Sequence, residues 1–233
     1  MTEFLSFSTY FGFFISVSAF LFGDWVSRKL RHPLANSMLI AVVLIIVVLK
    51  LLRIDYATYN ASAKYLSFFI TPAVVCLAIP VYQQFQVLKN NAAAVLIGAA
   101  AGMLACFITV LALALAFKLT RAEYVTFLPK SVTTAIGIAI SEEMGGYTSI
   151  TAAVIAITGL LGNLIAVPLC RLFHITEPLA KGLAIGAYSH AIGAAKALEL
   201  GEVESAVCNV AIVICGVIAV IGVPIFASFY PLA

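Results

Sequence analysis

The chain has 233 residues, 64% of them hydrophobic and only 10% charged, with a mean hydropathy of +1.14 and a net charge of +3. Soluble domains carry about 25% charged residues, so this composition excludes a water-soluble fold, and no loop is long enough to hold an aqueous catalytic domain. The alternating segments of ~10 residues that mark a transmembrane barrel are also missing. What is left is an all-α polytopic integral membrane protein with about seven or eight hydrophobic segments.

The first apolar run covers residues 4–23. Met-Thr-Glu before it supplies no basic n-region, and the run exceeds the ~7–15 residues of a signal core, so it is expected to be a retained first span. "SRKLRHP" (27–33) then packs Arg28, Lys29, Arg31 and His32 into one short loop. The positive-inside rule predicts that this loop is cytoplasmic and the N-terminus outside, in a multi-pass plasma-membrane protein. The cluster reads as a topology anchor rather than a nucleic-acid surface, with Trp25 beside it at the interface.

A second span is expected over 33–49, followed by a segment over 65–88 that Pro72 and Pro80 interrupt in "FFITPAVVCLAIP". A long span (92–117) closes the first half, 1–120. The second half, 128–233, opens on a short segment (131–141) and continues with a span (149–170), a broken segment (182–199) and a last span (205–229). Segments too short for a 30 Å crossing survive in a bilayer only where protein or a wet cavity satisfies their backbone. Broken segments in corresponding places predict an internal repeat, inverted or parallel, with a carrier-like site between its halves.

Five cysteines (76, 106, 170, 208, 215) form no C-x-x-C pair, and His32, His174 and His190 lie far apart. Neither a metal site, a disulfide nor a cofactor is expected. The only aspartates, Asp24 and Asp55, lie near span ends, so an intramembrane aspartyl dyad is excluded and no enzyme is predicted.

"LPKSVTTAIGIAISEEMGG" (128–146) has the makings of an anion site. Ser131 is a candidate N-cap, and Thr133 and Thr134 place hydroxyls in the first turn. Unpaired N–H groups at a helix N-terminus attract a carboxylate, and Lys130 would add to that attraction. The alternative is that Lys130 snorkels to headgroups. Glu142 and Glu143 read as solvated loop charges, with a proton relay as the rival. In "AYSHAIGAAKALELGE" (187–202) adjacent Ser189 and His190 diverge by about 100° on a helix and form no catalytic pair. They fit a helix break, with Gly186 and Gly193 on either side allowing close approach and, with Pro72, gating. Lys196 could face the same cavity as His190 or pair with Glu199 at i,i+3. Asn163 is either a pathway residue or helix–helix glue.

"ITPAVVCLAIPVYQQ", the 128–146 motif and "GLAIGAYSHAIGAAKALELGEVESA" resemble the CidB/LrgB family, over about residues 30–224. The family's signature positions fall on Pro72, Lys130, Ser131, Thr133, Thr134, Ser189, His190 and Glu199; the chain departs at Ala135, where many members have proline, and at Ala194, where many have threonine. The resemblance implies two readings. One is a holin/antiholin-like protein that modulates murein hydrolase activity and autolysis with a small CidA/LrgA-type membrane partner. The other is a carrier of small monocarboxylates of the pyruvate, glycolate or glycerate type, as in the related plastidal translocator. The residues themselves favour the carrier. Lys130, Ser131, Thr133 and Thr134 would hold the carboxylate from one broken element, Ser189, His190 and Lys196 would close from the other, and Asn163 would add a polar contact from the span between them. His190 could couple proton movement, and the chain is expected to work as a homodimer by alternating access.

Overall fold

The computed structural model describes residues 10–30 and 37–230, and among them the chain is helical with no strand. It divides into two compact units, residues 1–76 and 77–233.

In the first unit, α1 (Phe11–Leu30) and α2 (Ser37–Leu51) form a hairpin, and α3 (Tyr56–Ala63) runs into a 3-10 turn, Lys64–Phe69. The α1–α2 approach is close because Gly23 lies against the Ser37 carbonyl. At the other end of α1 the Gly12 N–H, orphaned in a first turn, donates to Ser62 Oγ at 2.7 Å, and Ser16 Oγ meets Tyr59 Oη at 2.7 Å. The expected loop 27–33 is in fact helical through Leu30, where Asp24 pairs with Arg28 at 2.9 Å and Lys29 lies 5.0 Å over the Trp25 ring. Residues 4–9 of the predicted first span and 31–33 of the loop lie outside the described residues. Pro72 falls in the first turn of α4 (Ile70–Gln83) and does not break it, since the N–H it lacks is an orphan there anyway. The interruptions lie instead at the 3-10 turn before α4 and at Gln84 after it.

Among the described residues three helices are long and apolar enough to cross a membrane, all in the second unit: α6 (Ala92–Phe117), α9 (Thr148–Leu172) and α11 (Glu202–Ser228). Short α5 (Phe85–Asn90) leads into α6. In α6, Val95, Ala99, Met103, Phe107, Val110 and Ala114 recur every three or four residues and are buried. In α11, Ala211, Cys215, Ala219, Val223 and Ala227 do the same at every fourth position. These stripes face each other with the helices parallel: Val95 clusters with Ala206 and Val207, and Gly222 receives the Phe107 ring. The opposite faces expose Ile97, Leu104, Val213, Val217 and Ile221, as expected where the solvent is lipid.

Two tyrosines tie the end of α11 to the end of α6 and to the residues that follow it. Tyr230 Oη donates to the Leu119 carbonyl and lies 3.3 Å from that of Ala114, Tyr124 Oη donates to the Phe226 carbonyl at 3.1 Å, and the rings stack at 4.6 Å. The Ala114 and Phe226 carbonyls already accept the Leu119 and Phe229 N–H groups, so the hydroxyls add side-chain donors at two helix ends, and Tyr230 also serves the Leu119 carbonyl in the connection after α6. Tyr230→Phe is expected to lower stability by about 1–3 kcal/mol, read as an earlier thermal unfolding transition in detergent, whereas Tyr82→Phe on an exposed ring leaves it unchanged.

Candidate functional site

Between the three long helices lie two elements that go only part-way and return. The first consists of α7 (Arg121–Phe127) and α8 (Thr134–Glu143). Thr120 starts α7 with a reciprocal capping box to Glu123, whose carboxyl the Thr120 backbone and side-chain donors hold below its ordinary value. The arms run antiparallel: Thr126 Oγ accepts the Tyr147 N–H at 2.8 Å, and Thr151 Oγ reaches the Thr126 carbonyl at 3.1 Å and Ser141 Oγ at 2.7 Å. Nearer the turn, Gly137 lies against the Pro129 carbonyl. The turn is residues 128–133. Thr133, not Ser131, is the N-cap residue, with no side-chain cap bond, and the helix starts at Thr134. The segment expected at 131–141 is thus shifted toward Glu143, because the chain uses Ser131 and Val132 as buried turn residues.

The second such element is α10 (Pro178–Leu200), which is broken at His190 with φ 41° and ψ −140°. A straight helix would put Lys181 about 28 Å from Leu200 and Ile185 about 12 Å from Gly193. Here Lys181 and Leu200 line one cavity, and a Cβ at Gly193 would lie 2.7 Å from Ile185 Cγ2. Residues 178–189 and 191–200 are therefore the two arms of a hairpin. The first arm packs parallel to α11 through Gly182-x-x-x-Gly186, whose glycines meet the Glu204 backbone and Cys208 with Ala211. It packs parallel to α6 as well, with Leu183 against Gly98 and Ala187 against Gly102. This hairpin therefore enters beside the beginnings of α6 and α11, while the α7–α8 hairpin enters beside their ends.

The two turns come together midway along the long helices. Lys130 Nζ lies 5.4 Å over the Tyr188 ring and 3.5 Å from Ser131 Oγ, which also accepts from Cys106 Sγ at 3.4 Å. Ser131 and Tyr188 line a cavity of about 350 Å³ with Cys106, Gly98, Gly102 and small residues of the first α10 arm. Ser131 is buried, Thr133 half-buried and Thr134 exposed.

His190 is buried on the other side of the turn, where its Nε2–H donates to the Ile155 carbonyl of α9 at 3.1 Å. Gly159, one helical turn on, makes room: a Cβ there would lie 2.8 Å from His190 Cε1. Asn163 Nδ2 donates to the Ile192 carbonyl at 3.3 Å, joining α9 to the start of the second arm. Ser189 Oγ is buried against Gly162 and has no hydrogen-bond partner among the described residues.

The structure thus brings Lys130 and Ser131 together with Tyr188, and His190, Ser189 and Asn163 together with α9. It does not place Lys196 beside His190. Beyond the break Lys196 turns to Glu199 and pairs with it at 2.6 Å. Glu142 and Glu143 are exposed. Tyr188, Cys106, Gly159 and Gly162 escaped the sequence reading. The i,i+3 spacing of Gly159 and Gly162, on the face that also carries Asn163, was the available signal for a close contact there.

Three membrane-length helices with two half-depth hairpins between them define a polytopic membrane protein built around broken elements. The chain belongs to the LrgB-like family, whose profile matches residues 16–229. It is 33% identical to "Antiholin-like protein LrgB" of Bacillus subtilis (strain 168) over 222 residues, covering 95% of this chain and 96% of that one. Proteins of the same name from Bacillus cereus (strain B4264) and Bacillus anthracis (strain CDC 684 / NRRL 3495) are each 34% identical over 94% of this chain and 96% of theirs. No solved structure matches.

Proposed function

We propose that this chain is an antiholin-like membrane protein, one that restrains holin-type permeabilisation and with it the action of murein hydrolases on the wall, alongside a small membrane partner. The observation that carries this reading is likeness along nearly the whole chain to relatives bearing that name. Producing the chain in a bacterial host that lacks its own copy should slow lysis after a triggering dose of detergent. Lysis as fast as in cells without the chain would defeat the proposal.

A second reading, passage of a small monocarboxylate by alternating access, is favoured by the two converging turns. A protein that acts only through assembly has no use for a buried serine hydroxyl and a tyrosine ring lining one cavity with a lysine held against both. Half-depth hairpins whose turns meet at mid-membrane are where carriers place their substrate. Control of autolysis would then follow from the movement of a metabolite. Proteoliposomes holding the chain alone should take up labelled pyruvate, glycolate or glycerate saturably, with and without an inward proton gradient. Lys130→Gln should raise the half-saturating concentration about tenfold or more, the loss expected for one charge-assisted contact. Uptake unaltered by that change would remove Lys130 from the path, and leakage of unrelated solutes would leave the permeability reading.

A further inference from the structure

A separate cavity of about 360 Å³ lies where the α10 hairpin enters the second unit, bounded by the end of α9, the 173–177 connection and both ends of α10. Its lining is apolar at Val167, Cys170 and Leu200, and basic or titratable at Arg171, His174 and Lys181. The ion pairs among the described residues are Asp24–Arg28 and Lys196–Glu199, so none of these three side chains has an acidic partner there. The nearest acid in the connection, Glu177, lines a different cavity with Leu179 and Leu183.

The backbone adds a second observation. Ile175 N–H donates to the Cys170 carbonyl at 2.8 Å and His174 N–H to that of Arg171 at 3.2 Å, and His174 has φ 53°. This is a Schellman ending with histidine in the left-handed position that glycine normally takes. A side chain is thus kept where the fold alone would be served better by none, and it lines the cavity. Leu172 and Phe173 beside it are 67% and 68% exposed, the pattern of a helix end at a lipid boundary.

We propose that this cavity binds a phosphate-bearing anion, held by Arg171 and Lys181 with His174 as a third donor. Arg presents a planar fork to phosphate oxygens and Lys a point charge. The flanking apolar residues and the position at a helix end suit the headgroup of an anionic phospholipid, and a free phosphate shares the same chemistry. The site shares no lining residue with the cavity at Ser131 and Tyr188, so it stands whether or not solute passes between the two turns.

The test is thermal stabilisation of the detergent-purified full chain, titrated with phosphatidylglycerol, phosphatidylcholine, glycerol 3-phosphate and inorganic phosphate. Phosphatidylglycerol should stabilise saturably, less so at high salt, and phosphatidylcholine should not. Arg171→Gln and Lys181→Gln should each weaken the effect about fivefold, the value of one interfacial cation. His174→Gly should weaken it while leaving the unliganded protein as stable as before or more so, which a purely structural histidine would not do. Stabilisation by the soluble phosphates at equal concentration would support the site with a free phosphate as its occupant. Equal stabilisation of wild type and all three variants, or an equal loss in Arg121→Gln at the opposite end, would overturn it, as would no response to any phosphate.

Discussion

Gly162→Val is expected to collapse the α10 hairpin. The first carbon of any side chain at 162 would run into Ser189 Oγ and lie 2.6 Å from Tyr188 Cδ1. Ser189 Cβ, 3.0 Å away on the buried backbone beside the His190 break, cannot retreat, and Tyr188, 41% exposed, can turn outward only by leaving Lys130. Overpacking a filled site costs about 1–3 kcal/mol, and here the strain falls on the turn that carries the candidate site. The variant should insert but unfold at lower temperature, and it should lose uptake and lysis control together. Gly145→Ala is the comparison, since no atom lies within 4 Å of a Cβ there, although φ 79° makes that turn mildly strained for alanine. A Gly162→Val protein with wild-type stability and activity would mean that the hairpin does not sit against α9 as described.

Two changes at one position should separate backbone from side chain at His190. With φ 41° and ψ −140° it occupies a region that only glycine enters freely, at a cost of about 1–3 kcal/mol for any other residue. His190→Ala keeps that cost and removes the hydrogen bond to the Ile155 carbonyl, worth about 1 kcal/mol, so it should be the less stable protein. His190→Gly loses the same bond and leaves the same buried space unfilled, but it relieves the strain and should therefore melt above His190→Ala. If the imidazole serves passage of solute or protons, both variants lose uptake despite their different stabilities. If activity follows stability instead, the histidine only holds the hairpin in place. Unfolding temperatures and uptake measured on one reconstituted preparation decide between these.

The break at 190 was legible because glycines and a polar Tyr-Ser-His run interrupt an apolar stretch too short to cross. The short element near Ser131 was legible for the same reason. Its cap was not. Serine at 131 has the better capping side chain, but the turn needs Ser131 and Val132 inside, and the helix therefore begins two residues later at an N-cap threonine that makes no cap bond. Lys196 shows a different limit. Spacing allowed it to face either His190 or Glu199, and the reversal of chain direction at the break, which periodicity cannot express, leaves the local pair. Pro72 failed as a marker because a proline in a first turn costs the helix nothing. Tyr188 and Cys106 were not legible as site residues because an aromatic ring and a thiol in an apolar run ordinarily signify packing; only the arrival of Lys130 and Ser131, 58 and 57 residues upstream of Tyr188, gives them another meaning.

The glycine contacts of the α10 hairpin also bear on how the protein is made. Each arm is about 15–18 Å long, too short to hold a place across the membrane by itself, and the first arm rests through Gly182 and Gly186 on α11, residues 204–211. That surface leaves the ribosome after the hairpin does. Biogenesis must therefore hold the hairpin in a provisional state until the last helix is inserted, so a nascent chain stopped at residue 200 should present Tyr188 and Ser189 to protease, and one extended past residue 228 should shield them.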